Sequence, residues 1–121
     1  MGDAPNILVV EDDPDSLTVM TAILQLAGYH VTGAASFEDA QAALTAELDL
    51  LVTDIRLGAY NGLQLIIRGR ALNPDLRAIA VTGFTDPVVR REAEALDAIH
   101  LEKPVDPDRL LDEVAHAMAC S

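Results

Sequence analysis

The sequence predicts an α/β domain: a doubly wound, five-stranded parallel sheet with helices on both faces. Three observations point there. Short apolar runs rich in Val, Ile and Leu recur five times along the 121 residues, each followed by a helical pattern. The stronger runs are apolar almost throughout, as strands covered on both faces are. Their ends carry polar side chains, and the carboxyl edge is where an open parallel sheet binds its ligands. Strands and helices in alternation imply right-handed crossovers.

The elements follow in order. Ile7–Val10 reads as a buried strand, ahead of a turn at Asp13-Pro14-Asp15. Leu17, Met20, Leu24 and Ala27 then recur at helical spacing until Gly28 stops the helix. Residues 29–32 form a weaker second strand, and Ser36 caps a helix carrying Phe37, Ala40 and Leu44. Residues 48–53 make a third strand ending at Asp54, followed by a Gly-rich loop and a helix with Leu63, Ile66 and Ile67 that stops near Asn73-Pro74. Residues 76–81 are the fourth strand, ending at Thr82-Gly83, and Asp86-Pro87 starts the fourth helix, with Asp as cap and Pro in the first turn. Residues 99–101 are a brief fifth strand closing on Lys103-Pro104. Asp106-Pro107 then caps a helix with Leu110, Leu111, Val114 and Met118.

One domain over residues 1–121, with its core at about 6–119, accounts for the whole chain; no repeat or interdomain linker interrupts it. Twenty Asp and Glu stand against eight Lys and Arg, a formal charge of −12. That charge repels phosphate backbones and anionic lipid, which argues against direct nucleic-acid or membrane binding. A single cysteine, Cys120, excludes an internal disulfide and fits a reducing compartment. The N-terminus lacks the shape of a signal peptide and no apolar run reaches a membrane span, so a cytoplasmic domain is expected.

The strand ends hold the chemistry. The first gives Glu11, Asp12 and Asp13, the third Asp54, the fourth Thr82 and the fifth Lys103, the only lysine in the chain. Carboxylates gathered on one edge repel unless a cation joins them, and otherwise at least one pKa must rise. Hard oxygen donors favour Mg²⁺, and there is no His and Cys set for zinc. Phosphoryl transfer needs mainly positioning and charge neutralisation. An Asp can accept the phosphoryl group as an acyl phosphate, while an ammonium and a hydroxyl hold its oxygens. Taken singly, each motif has a plainer explanation as turn or surface chemistry; four in strand order do not.

This ordered set resembles a two-component response-regulator receiver domain, of the CheY-like family with its flavodoxin-like (βα)5 fold. The resemblance spans essentially the whole chain. It implies that Asp54 is the phosphoacceptor and that Glu11, Asp12, Asp54 and the backbone carbonyl of Arg56 bind Mg²⁺. It further implies that Thr82 is the switch hydroxyl, that Lys103 contacts the phosphoryl group and that the Lys103-Pro104 bond is cis. Asp13 is left a peripheral contributor. A histidine kinase or His-containing phosphotransfer protein would donate the phosphoryl group. A downstream protein would read the face made by the fourth helix, fifth strand and fifth helix. Such a domain assists its own phosphorylation and dephosphorylation and is not otherwise an enzyme.

Two departures stand out. After the acceptor the family usually reads Asp-x-x-Met-Pro-x-x-Asp-Gly; here "DIRLGAYNG" puts Gly58 for the Pro, which loosens the loop, while Asn61-Gly62 keeps turn chemistry. Three residues before the lysine, His100 stands where a switching aromatic is usual. These leave open a phosphorylation-independent interaction module of the same fold. A flavin carrier is a poorer fit, with carboxylates where a hydroxyl- and Gly-rich phosphate loop should be and four aromatics in all. An Asp-nucleophile phosphatase would want a second acid where Arg56 stands. No output segment follows the fifth helix, so the chain reads as a stand-alone regulator or an excised receiver.

Overall fold

The computed structural model describes residues 4–83 and 87–119. Five strands, β1 (Asn6–Val10), β2 (His30–Ala34), β3 (Leu50–Asp54), β4 (Arg77–Thr82) and β5 (Ile99–Glu102), form one parallel sheet in the order β2-β1-β3-β4-β5. The helices are α1 (Pro14–Leu26), α2 (Phe37–Ala43), α3 (Leu63–Leu72), α4 (Pro87–Ala95) and α5 (Pro107–Ala119). The chain winds outward from β1 to β2, then crosses back to β3 on β1's other side. The carboxyl ends of β1 and β3 therefore flank the switch point, where such sheets hold their ligands.

Alternate strand residues supply two cores. Ile7, Val9, Leu50, Val52, Ile79 and Val81 pack with Met20 and Leu24 of α1 and Leu110, Val114 and Ala117 of α5. Leu8, Val10, Leu51, Ala78 and Ala80 pack on the opposite face with Phe37 and Ala40 of α2, Leu65 and Ile66 of α3 and Ala93 of α4. A strand side-chain period of two with both faces covered explains why these strands read as continuous apolar runs. Each fully buried Leu, Ile or Val contributes about 1.5–3 kcal/mol over its exposed state. Among the described residues no helix is long and apolar enough to cross a membrane.

Several boundaries differ from the sequence reading. Asp13-Pro14-Asp15 is a helix start, not a free turn: Asp13 is the N-cap of α1, its carboxylate accepting from Ser16 N (3.2 Å) and Ser16 Oγ (2.7 Å), with Pro14 just inside. The second strand runs His30–Ala34 and is mostly exposed, because it is the sheet edge and pairs only with β1. Its weak apolar signal reflects that position. Leu48 is buried but precedes β3, in a turn whose Leu48 N donates to Thr45 O. Ser36 caps α2 as expected, accepting from Asp39 N at 3.1 Å. Gly28, at φ +100°, follows α1. The Asp86 cap of α4 falls outside the described residues, as do Phe84 and Cys120.

The loop after β3 departs most. Arg56–Leu57 and Tyr60–Asn61 pair there as a short antiparallel hairpin, which the sequence reading did not anticipate. Gly58, at its turn, has φ +62°, a conformation that favours glycine. Gly62 is in the right-handed region, and a Cβ there would lie 2.0 Å from the Asp54 carbonyl oxygen. It is glycine because α3 starts hard against the acceptor strand.

Candidate functional site

The edge at the switch point is built from strand ends held by backbone bonds. Glu11 follows β1, its N–H donating to Ala34 O at 3.1 Å. Asp54 is the last residue of β3 and pairs in register with Val81, while Ile55 N donates to Val81 O at 2.9 Å. Lys103 follows β5, and its N–H donates to Thr82 O at 2.8 Å. The β4 end is thereby tied to both neighbours.

These bonds bury unusual side chains. Glu11 is 1% exposed, Asp54 4% and Thr82 6%. Charged residues are seldom buried unless paired, and Lys103 is the partner. Its Nζ lies 2.9 Å from Glu11 Oε2, 3.1 Å from Glu11 Oε1 and 2.9 Å from Asp54 Oδ2. Asp12 lies exposed at the rim. One carboxylate oxygen from each of Glu11, Asp12 and Asp54 falls within 4.8 Å of the others.

The electrostatics leave this set short of positive charge. Burial raises the Glu11 pKa, and the nearby Asp54 charge adds to the rise, against hydrogen bonds from Lys103 and the Asp13 N–H that lower it. Burial opposes the Lys103 charge, yet hydrogen bonds to Glu11 and Asp54 outweigh it and its pKa is raised. Three carboxylates against one ammonium leave two negative charges when all are ionised, which a divalent cation would neutralise. The donors are all hard oxygens, and Asp12 opens to solvent so that an ion there could keep water ligands. The residues present fit Mg²⁺.

The remaining candidates are placed as follows. Arg56 opens the hairpin two residues after Asp54, with its side chain exposed. Thr82 ends β4 beside Lys103. The Lys103-Pro104 bond is cis. His100 sits on β5 opposite Ala80, and its buried Nε2 has no hydrogen-bond partner among the described residues. Asp13 turns away from the cluster: hydrogen bonds to the Ser16 side chain and backbone lower its pKa, the work of a helix cap. The Asp-Pro pair is itself an N-cap signal, so this role was readable. Asn61 keeps the turn chemistry expected of it: its Oδ1 accepts from Leu63 N, two residues on, at 2.9 Å and ends the hairpin at α3. The contact of Tyr60 with Phe37 was missed, since no local pattern links residues so far apart.

Comparison with known proteins agrees with this geometry. Residues 7–115 match the model of the response regulator receiver domain. The chain is 34% identical over 119 residues to the C4-dicarboxylate transport transcriptional regulatory protein DctD of Rhizobium meliloti, covering 97% of this chain and 26% of that one. It is 34% identical over 113 residues to the response regulator receiver protein CpdR of Brucella abortus, covering 89% of this chain and 92% of the relative. Thus it spans about a quarter of one relative and nearly all of the other. Among solved structures, a CheY-like receiver domain protein from Methanospirillum hungatei superposes with a TM-score of 0.89 at 29% identity, over 96% of this chain and 94% of that one. The non-phosphorylated HemR receiver domain from Leptospira biflexa gives 0.90 at 25% identity, over 97% and 96%. With a family model spanning most of its length and an acidic pocket at the expected strand ends, this chain belongs to the response regulator receiver domain family.

Proposed function

We propose that Asp54 is the phosphoacceptor of a two-component or phosphorelay switch and that its phosphorylation depends on Mg²⁺. The observation that carries this is the buried Asp54 carboxylate with the Lys103 ammonium at 2.9 Å. A carboxylate so placed is a nucleophile whose phosphoryl product would meet a positive charge already in position. Glu11, Asp12 and Asp54, with the Arg56 backbone carbonyl, would hold the cation. When bound it neutralises charge on the incoming phosphoryl group. Lys103 holds the phosphoryl oxygens and Thr82 supplies the switching hydroxyl. The domain assists its own phosphorylation and dephosphorylation and turns over no independent substrate.

The donor is a histidine kinase or a His-containing phosphotransfer protein, and the reading surface is α4–β5–α5. A groove of about 340 Å³ there is lined in part by Arg90, His100, Glu102, Asp106 and Arg109. His100 takes the switch role on β5. Its partnerless Nε2 supports this, since a rotation that brings that atom to water or a partner would recover a hydrogen bond. The net charge of −12 supports a protein partner over nucleic acid or an anionic membrane. We assign residues 1–121 to one receiver domain, with its core at about 6–119, acting in the cytoplasm where ATP-derived phosphoryl groups arise.

The test is intact mass after incubation with Mg²⁺ and acetyl phosphate. The wild type should gain one phosphoryl group; Asp54→Asn, or wild type in EDTA, should gain none. A folded wild type that stays unmodified would favour a phosphorylation-independent interaction module.

A further inference from the structure

The hairpin after Asp54 is too small to hold itself. It has two paired positions, Arg56 with Asn61 and Leu57 with Tyr60, and even longer isolated hairpins are marginal in water. Its turn passes through Gly58 at φ +62°, where no proline ring stiffens the backbone. Its base is secured by Gly62 N donating to Ile55 O at 2.7 Å. The first strand is anchored by Leu57, which is 3% exposed and buried in the core. The second strand depends on Tyr60. Its ring stacks on Phe37 of α2, centroids 4.5 Å apart and planes 12° apart. Phe37 is itself buried, and the Arg68 guanidinium of α3 lies 5.2 Å from its centroid. The second strand of the hairpin is thus held to α2 through one aromatic contact, with Arg68 of α3 on the same Phe37 ring.

That contact sits between two open clefts. One, about 310 Å³, is lined by Asp12, Phe37, Leu57 and Tyr60 among others. The other, about 220 Å³, is lined by Arg56, Tyr60, Asn61 and Thr82 among others. Tyr60 borders both, so without its ring the hairpin has open space to move into on either side.

We propose that Tyr60 is a positioning residue for the divalent cation: stacked on Phe37, it holds in place the hairpin that Arg56 opens two residues after Asp54, and with it the Arg56 backbone. The inference rests on the metal reading given above. Leu57, buried beneath the same hairpin, sets its depth, and Tyr60 sets its tilt. The ring does this by its face; the phenolic hydroxyl is not needed. Tyr60 is 47% exposed, so truncating it removes the clamp and uncovers only the face of Phe37 on which it stacks.

The experiment is calorimetric titration of metal-free protein with MgCl₂ at constant ionic strength, without phosphodonor. The variants are Tyr60→Ala, Tyr60→Leu, Tyr60→Phe and, as a site control, Asp12→Asn. Circular dichroism checks that each is folded. Tyr60→Ala and Tyr60→Leu should bind Mg²⁺ roughly two- to tenfold more weakly, the equivalent of one aromatic pair, and Tyr60→Phe should match wild type. Wild-type affinity in Tyr60→Ala and Tyr60→Leu, with Asp12→Asn impaired, would overturn the assignment and leave the metal site standing; a lower thermal midpoint without a change in affinity would do the same. Equal weakening in Tyr60→Phe would move the role to the hydroxyl and overturn the stacking argument. A wild type that binds no Mg²⁺ would remove the metal reading and this inference together.

Discussion

At the residue scale, two buried carboxylates share a single ammonium. Glu11 keeps its proton more tightly in the folded protein than in the unfolded chain, because burial raises its pKa above the ordinary 4.5. A raised folded pKa favours folding fully below the ordinary value and loses that contribution as the pH climbs through the raised one. Compared with Glu11→Gln, metal-free wild type should therefore lose stability as the pH rises from about 4.5. Urea midpoints of both proteins in EDTA across pH 4–8, roughly the span in which a displaced carboxyl titrates, would check it. On the metal reading proposed above, Mg²⁺ should reverse the trend, because a cation held there favours the ionised carboxylate. An unchanged difference between the two proteins would mean that Glu11 is not strained by burial. Lys103 has the complementary sign: its raised pKa favours folding below its ordinary 10.5 and loses that contribution only in stronger alkali.

At the element scale, the site depends on how tightly α3 is pressed against the end of β3. Gly62 is the point of contact, with no room for a Cβ beside the Asp54 carbonyl oxygen and Thr53 Oγ1. Because backbone rather than a flexible side chain is in the way, Gly62→Ala must shift the helix or the strand. We expect a loss of about 3 kcal/mol in urea unfolding, the upper end for overpacking, and slower phosphorylation because Asp54 moves with its carbonyl. A loss under about 0.5 kcal/mol, the scale of an ordinary surface substitution, would show that α3 can back away freely. Helix starts were readable where capping chemistry is local, as at Ser36 and in the Asp13-Pro14 pair. The hairpin was not: its strands are two residues long, below the length at which alternation is visible, and it is held by Phe37 from another element.

At the scale of the whole molecule, the excess of acid is both spread over the surface and focused at one edge. Salt screens the spread component; a divalent cation acts on the focused one. At about 100 times its Kd, Mg²⁺ should stabilise the fold by about 2.7 kcal/mol, by mass action on the native state alone. NaCl at matched ionic strength should give a smaller rise, and Asp54→Asn should lose most of the Mg²⁺ increment while keeping the NaCl one. Equal gains from both salts would reduce the acidic cluster to general repulsion. Denaturant midpoints read at constant slope separate the cases.

Fold class, the order of the five parallel strands and their helices, and the identities at the strand ends were all legible in the chain, because side-chain periodicity and punctuation are local and strand ends in a parallel sheet share one edge. The sequence placed Glu11, Asp12, Asp54, Thr82 and Lys103 on that edge. The tertiary structure alone decided which of them touch. Lys103 bridges Glu11 and Asp54, contacts spanning 92 and 49 residues, while Asp13, adjacent to Asp12, turns away to cap α1. Closeness in sequence gave no guide there, because the direction of a side chain at a strand end is set by the backbone bonds to neighbouring strands and by the helix that follows.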